Sequence, residues 1–240
     1  MPEVPEATMS EPMVLCMIPY RERPDFVQRA IRCYDAQTYT MRHLVLLDNG
    51  KEPNVERSDV GGYSYIYRLG LPNVGAIRNY INGLKWPKVP MDCEYIAHFD
   101  FDDISAPNRL QCQLDHINKT GKQVTGFWDC PQYDLKRDKV WIYENPRPGQ
   151  YALGNGLLYR RSTWERVKFP EDRAVDDPLR KKNVGGENIE TRSVWENGKP
   201  LMIQVVHGAN TSATIIRSST HYKEPTTEQE KAVRKLLMEA

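Results

Sequence analysis

Three carboxylates fall within four positions, at Asp100, Asp102 and Asp103, where the apolar run Tyr95-Ile96-Ala97-His98-Phe99 ends. Ionised side by side they repel one another unless a cation sits among them, and hard divalent ions such as Mg²⁺ or Mn²⁺ prefer oxygen ligands. An ion held this way can also grip phosphate oxygens, so the pattern points to chemistry on a phosphorylated substrate. The same residues would equally suit a solvated loop opening the helix after Ser105-Ala106-Pro107, because acidic side chains favour a helix N-terminus.

The elements that must position this cluster read as an alternation. Met13 to Ile18 is a continuous apolar run, the pattern of a strand buried on both faces, and it stops at Pro19. From Pro24 the residues Phe26, Val27, Ala30, Ile31 and Tyr34 recur at helical spacing, with the proline suited to the first turn. His43 to Leu47 gives a second strand ending in the turn sequence Asp48-Asn49-Gly50, and Tyr63 to Leu69 a third. Asn73 can cap a helix reaching Leu84, and Leu110, Leu114 and Ile117 mark another after Pro107. Strand alternating with helix predicts an α/β domain with a mainly parallel sheet covered on both faces. Ligands of such sheets sit at the carboxyl ends of the strands, where Asp48 and the acidic cluster both fall.

The second half changes character. Short strands are expected at Val124 to Trp128, Val140 to Tyr143, Tyr151 to Tyr159 and Leu201 to Val206, with Trp128, Trp141, Tyr143 and Tyr151 as flat apolar platforms for a ligand or as core. Thr227 and Glu230 have capping-box spacing before a C-terminal helix. The domain reading is a disordered stretch 1–12, a single domain 13–220 with a half 13–120 that builds a nucleotide platform and a β-rich half 121–220 that shapes a second pocket, and a helical tail 221–240.

Composition narrows the classes. With 33 basic and 32 acidic residues in 240, no global field draws the chain to nucleic acid or anionic lipid, although local patches leave nucleic acid open. No window has the apolar length of a membrane span, and the polar, proline-bearing start is unlike a signal peptide. Five cysteines without a CxxC pair argue against a disulfide framework or zinc ribbon and for a reducing cytoplasm, with Cys16 a small core residue.

Four islands, in order, resemble the family 2 glycosyltransferases of the GT-A fold, over about Val14 to Ser212. They are Met17-Ile18-Pro19-Tyr20-Arg21-Glu22-Arg23-Pro24-Asp25-Phe26 with Gln37-Thr38-Tyr39; Leu46-Leu47-Asp48-Asn49-Gly50; Asn73-Val74-Gly75-Ala76-Ile77-Arg78-Asn79; and Phe99 to Leu110, which looks like a DxD metal-binding segment. Looser matches are Gly154-Asn155-Gly156 through Arg161, Asp176-Asp177, and His207 to Ser212. The resemblance implies a Rossmann-like GT-A domain and an inverting, metal-dependent transfer from a nucleoside diphosphate sugar, with UDP the default, to an acceptor hydroxyl.

It also implies roles. Asp102 is the metal ligand, Asp100 reaches the ribose or the metal, and Asp103 supports either, with Mn²⁺ or Mg²⁺ as the ion. His207 would complete the metal shell or touch the diphosphate; a lone histidine would equally be an ordinary hydrogen-bonding partner. Asp48 would bond the base, against the alternative of a plain turn. Pro19, Tyr20, Arg21 and Glu22 lie in the base-contacting loop, where Tyr20-Arg21 replaces a more usual Thr-Tyr pair. Asn73, Arg78 and Phe101 complete the nucleotide-sugar site, Arg78 as a guanidinium fork for oxyanions. The base is Asp177, with Asp176 second, since adjacent carboxylates raise one another's proton affinity; Pro178 makes a helix cap the alternative, and Glu171 or Glu187 could serve instead.

Two other classes remain in view. A nucleotidyltransferase would want a glycine-rich loop after the first strand, and Pro19 to Pro24 contains no glycine. A non-catalytic nucleotide-sugar binder would keep the platform and lack a working base.

Overall fold

The computed structural model describes residues 11–53, 63–85, 90, 93–146, 148–149, 151–170, 189–207 and 220–240. The expected disordered start lies almost wholly outside them, as do Glu171, Asp176, Asp177, Glu187, Asn210 and Ser212. In chain order the strands are β1 (Met13–Tyr20), β2 (Arg42–Asp48), β3 (Ser64–Tyr67), β4 (Cys93–His98), β5 (Ile104–Ser105), β6 (Val124–Phe127) and β7 (Asp129–Asp134). They continue with β8 (Lys139–Glu144), β9 (Leu158–Arg160), β10 (Ile189–Arg192), β11 (Trp195–Glu196), β12 (Lys199–Pro200), β13 (Met202–Val206) and β14 (Tyr222–Lys223). The helices are α1 (Pro24–Asp35), α2 (Val74–Asn82), α3 (Arg109–Thr120), α4 (Arg161–Arg166) and α5 (Thr227–Glu239).

Seven strands form the main sheet in the order β10-β6-β9-β4-β1-β2-β3. β1 runs parallel to both β2 and β4, and β2 parallel to β3; β9 is the antiparallel member, between β4 and β6. β1 shows why its sequence is apolar throughout. Val14, Cys16, Ile18 and Tyr20 face one core with α1 and α3, while Leu15 and Met17 face the other with α2 and α4. Cys16 is thus core, and burial pushes its thiol pKa up.

A second sheet has the order β14-β8-β7-β13-β5, and a two-stranded ribbon joins β11 to β12. α5 is packed on the second sheet, with Val233 and Leu236 among Val140, Ile142, Ile203 and Val205. Four details differ from the sequence reading, the first being that β1 runs on through Pro19 to Tyr20 instead of stopping at Pro19. The stretch Tyr151 to Tyr159 is strand only from Leu158, because Gly154–Gly156 turns as a 3₁₀ helix. β7 is a strand the sequence hides behind Asp129, Pro131 and Gln132. The box on α5 is Thr226 with Gln229, one residue earlier than expected; Thr226 is the residue with extended backbone (φ −67°, ψ 163°), and Glu230 instead pairs with Arg234. No helix among the described residues is long and apolar enough to cross a membrane.

Candidate nucleotide-sugar site

The carboxyl ends of β1, β2 and β4 share one edge of the main sheet. Tyr20 pairs with Asp48 across β1 and β2, and Phe99 N–H donates to Met17 O at 2.9 Å, so the acidic segment leaves beside the loop that follows β1. β13 delivers His207 to the same place from the second sheet.

The three clustered carboxylates have three different fates. Asp100 Oδ1 accepts from Arg78 Nη2 at 2.7 Å; the arginine side chain is 2% exposed and the carboxylate 26%. Asp102 Oδ2 lies 3.0 Å from His207 Nε2, and Arg29 Nη2 donates to the Asp102 carbonyl at 2.8 Å. Asp103 is buried, accepting from Asn155 Nδ2 at 2.5 Å and from Val205 N–H at 3.1 Å. Burial raises its pKa well above the carboxylate range, the neighbouring Asp102 and Asp100 add to this, and the two hydrogen bonds oppose it. Asp103 therefore builds the support beneath the site.

The Asp102–His207 spacing suits a metal. Cis ligands of an octahedral ion with bonds of about 2.1 Å lie about 3 Å apart. Among the described residues no group of three His, Cys, Asp or Glu side chains gathers for an ion. His207 Nε2 is also 3.3 Å from Arg23 Nη1, and one imidazole nitrogen can donate to the carboxylate or accept from the guanidinium, not both. Phe26 backs the imidazole at 4.9 Å between ring centres.

Pro19 and Tyr20, expected in the loop after the first strand, are the last two residues of β1; Tyr20 is buried, its ring edge-on to Phe101 at 5.7 Å, and its hydroxyl accepts from Arg23 N–H at 3.0 Å. Pro19 is buried as well, while Arg21 and Glu22 are exposed. Glu22 has φ 56°, and its Oε1 accepts from Lys51 N–H at 3.3 Å. Asp48 is wholly buried; Oδ1 accepts from Gly50 N–H at 2.9 Å and Oδ2 from the Tyr65 hydroxyl at 3.0 Å. It closes the turn.

The Asn73 to Asn79 island works as a clamp. Asn73 caps α2 by accepting from Ala76 N–H at 3.0 Å. Gly75 lets the chain approach so closely that an added Cβ would lie 2.4 Å from Pro170 O. Arg78 holds Asp100 on one side. On the other, Asn79 Oδ1 accepts from Phe169 N–H at 3.0 Å and Trp164 Nε1 at 2.9 Å, while Nδ2 donates to Phe169 O at 2.9 Å. α2 thus joins the acidic strand end to the chain just before position 171.

Sequence reasoning did not single out Arg23, Arg29, Asn79, Arg109 or Asn155. Arg109 is buried among Ser105 Oγ at 2.7 Å, His98 O at 2.7 Å, Asn155 O at 3.3 Å and Gln113 Oε1 at 3.1 Å, and burial lowers its pKa to about 10. The islands at Phe99–Leu110 and Gly154–Gly156 are therefore two sides of one network. Four of these residues, all but Arg29, lie inside islands quoted above, which was their only signal. Of the expected aromatic platforms, Trp141 is covered by Lys139 Nζ at 4.1 Å.

No protein-family profile matches the chain. Two curated relatives do over part of it: an uncharacterized glycosyltransferase of Rickettsia felis is 28% identical over 118 residues, 48% of this chain, and one of Rickettsia conorii is 29% identical over 118 residues, 47% of this chain. Those stretches are 19% and 18% of the relatives' own lengths, so the chain spans a small part of each. S. aureus TarS 1–349 in complex with UDP-GlcNAc superposes with a TM-score of 0.60 at 12% identity, covering 95% of this chain and 66% of that one. The mannosyltransferase PcManGT of Pyrobaculum calidifontis, in complex with GDP-Man and Mn²⁺, gives 0.55 at 11%, covering 82% and 57%. The chain has the fold of these glycosyltransferase structures, the α/β arrangement expected from its strand and helix pattern and the GT-A-like form that the resemblance implied.

Proposed function

We propose that this chain is a metal-dependent, inverting glycosyltransferase that moves a sugar from a nucleoside diphosphate sugar, with uridine the default nucleoside, to an acceptor hydroxyl. The observation that carries the proposal is the Asp102–His207 pair, 3.0 Å apart at the carboxyl edge of the parallel sheet and flanked by the Arg78–Asp100 ion pair. The fold neighbours add support, since their structures hold UDP-GlcNAc, or GDP-Man with Mn²⁺.

A Mn²⁺ or Mg²⁺ ion on Asp102 and His207 would draw negative charge from the departing diphosphate. Asp100, oriented by Arg78, serves the ribose or the ion, and Arg78 strengthens the positive field at the phosphates. Phe101 lines the same turn, Asn73 holds α2 in register, and Asp48 with Pro19, Tyr20, Arg21 and Glu22 frames the base. Asp177, with Asp176 the second candidate, takes the acceptor proton as the acceptor oxygen bonds to the anomeric carbon; the bond from that carbon to the diphosphate oxygen breaks and its electron pair leaves with the diphosphate. Five cysteines without disulfide spacing favour the cytoplasm as the compartment.

A thermal-shift panel of nucleotide sugars with and without Mn²⁺ tests the donor reading. A ligand that binds the folded state raises the melting temperature by mass action, and one donor should do so only with the ion present or far more strongly then. No shift by any donor under either condition overturns the proposal. Asp177→Asn should abolish transfer while leaving that shift intact, which separates an enzyme from a mere binder.

A further inference from the structure

We infer that Arg29 is a positioning residue for the divalent ion: from α1 it fixes the main chain that carries the Asp102 carboxylate, so that Asp102 and His207 face each other before an ion arrives. This rests on the donor-site reading above. Arg29 acts through Asp102, not on the substrate.

Asp102 sits in the tight turn 100–103, and the peptide that joins it to Asp103 is gripped at both ends. The N–H of that peptide, belonging to Asp103, donates to Asp100 O at 3.2 Å, the bond that closes the turn. Its carbonyl, belonging to Asp102, accepts from Arg29 Nη2 at 2.8 Å, and a bond from a charged donor is of the stronger kind. A rigid peptide plane held by both its donor and its acceptor cannot turn, and the direction of the Asp102 Cα–Cβ bond follows from it.

The two ion ligands come from distant elements, Asp102 from the turn after β4 and His207 from the end of β13, and α1 touches both. Phe26 and Arg29 lie three residues apart and so share a face of the helix. The Phe26 ring packs against the His207 imidazole with centres 4.9 Å apart, and the Arg29 guanidinium carbon is 5.2 Å from the centre of the same ring. Arg29, Asp102, His207 and Phe26 thus close a circuit of contacts around the 3.0 Å pair. Ligands already held in place lose little freedom when they take an ion.

The positive charge of Arg29 works the other way, since it repels a divalent cation. Replacing it therefore tightens ion binding if charge governs and weakens it if the grip on Asp102 governs. Paramagnetic resonance, which reads free Mn²⁺, gives the affinity of the full chain for Mn²⁺ alone and with UDP or GDP, against protein-free blanks and well below the melting temperature. Arg29→Met keeps an apolar stem on Phe26 and loses the hydrogen bond. It should weaken Mn²⁺ binding on the order of tenfold, the usual cost of losing a group that orients a metal ligand. Arg29→Lys, which can still donate to the carbonyl, should recover part of the loss. Arg29→Gln, neutral and shorter, carries the same test should Arg29→Met fail to fold. A lowered melting temperature with unchanged Mn²⁺ affinity marks a merely structural residue and overturns the inference, as does tighter Mn²⁺ binding. If wild-type protein takes up no Mn²⁺ under any of these conditions, the donor-site reading falls as well, a result distinct from the other two.

Discussion

β2 and β4 flank β1 on either side and both deliver aspartates to the same edge of the sheet, yet the chain uses these aspartates in opposite ways. Asp48, at the end of β2, has no exposed surface and is met by a backbone N–H two residues on and by the Tyr65 hydroxyl. Asp100 and Asp102, beyond the end of β4, keep side-chain exposures of 26% and 15% and are met by Arg78 and His207, from α2 and from the second sheet. A carboxylate met by its own turn and by the neighbouring strand carries part of the fold. One met by a cation-capable side chain from a distant element sits where an ion or a phosphate can enter the arrangement.

The largest test of that contrast is Asp102→Asn. Loss of the ligand charge should cut transfer by about 100- to 1000-fold, the usual cost of losing one electrostatic stabiliser of a leaving group, and should remove the Mn²⁺-dependent part of the nucleotide-sugar thermal shift while the unliganded melting temperature stays close to wild type. EDTA should reproduce the same loss on wild-type protein. Next comes Asp103→Ala. Although it neighbours Asp102, it should behave as a fold residue, destabilising by about 2–4 kcal/mol in urea unfolding because Asn155 Nδ2 and Val205 N–H lose their acceptor in a buried site. Asp48→Ala should cost about 1–3 kcal/mol by the same measurement, from the stranded Gly50 N–H and Tyr65 hydroxyl. If Asp48→Ala instead leaves stability intact, or Asp102→Asn unfolds the protein, the division between the two strand ends is wrong. Gly75→Ala should cost a similar amount, about 1–3 kcal/mol through the clash with Pro170 O, and should act on stability with the ion-dependent shift still present.

Much of the main sheet was legible because strands buried on both faces must be apolar throughout, as β1 and β2 are, and because Pro24 and Asn73 mark helix starts by well-understood chemistry. β7 was not, since Asp129, Pro131 and Gln132 break the pattern; Asp129 is buried only because Ser193 Oγ and Val194 N–H each bond to it at 2.6 Å. In the site, residue type alone exposed Asp100, Asp102 and Asp103 as a group but could not assign their separate fates, which depend on partners 22 to 105 residues away. Arg23, Arg29 and Asn79 were hidden for the converse reason, because an arginine or asparagine near a helix start or on a helix reads as surface until its contacts are seen.

The grip of Asn79 on Phe169 has a kinetic corollary. Phe169 belongs to no helix or strand, and its amide would ordinarily trade its proton for deuterium within the dead time of an experiment, but that amide is pinned to the Asn79 side chain and buried with Trp164. Deuterium should therefore enter there only when α2 itself opens, at a rate tracking the amides of Ile77 and Ile81.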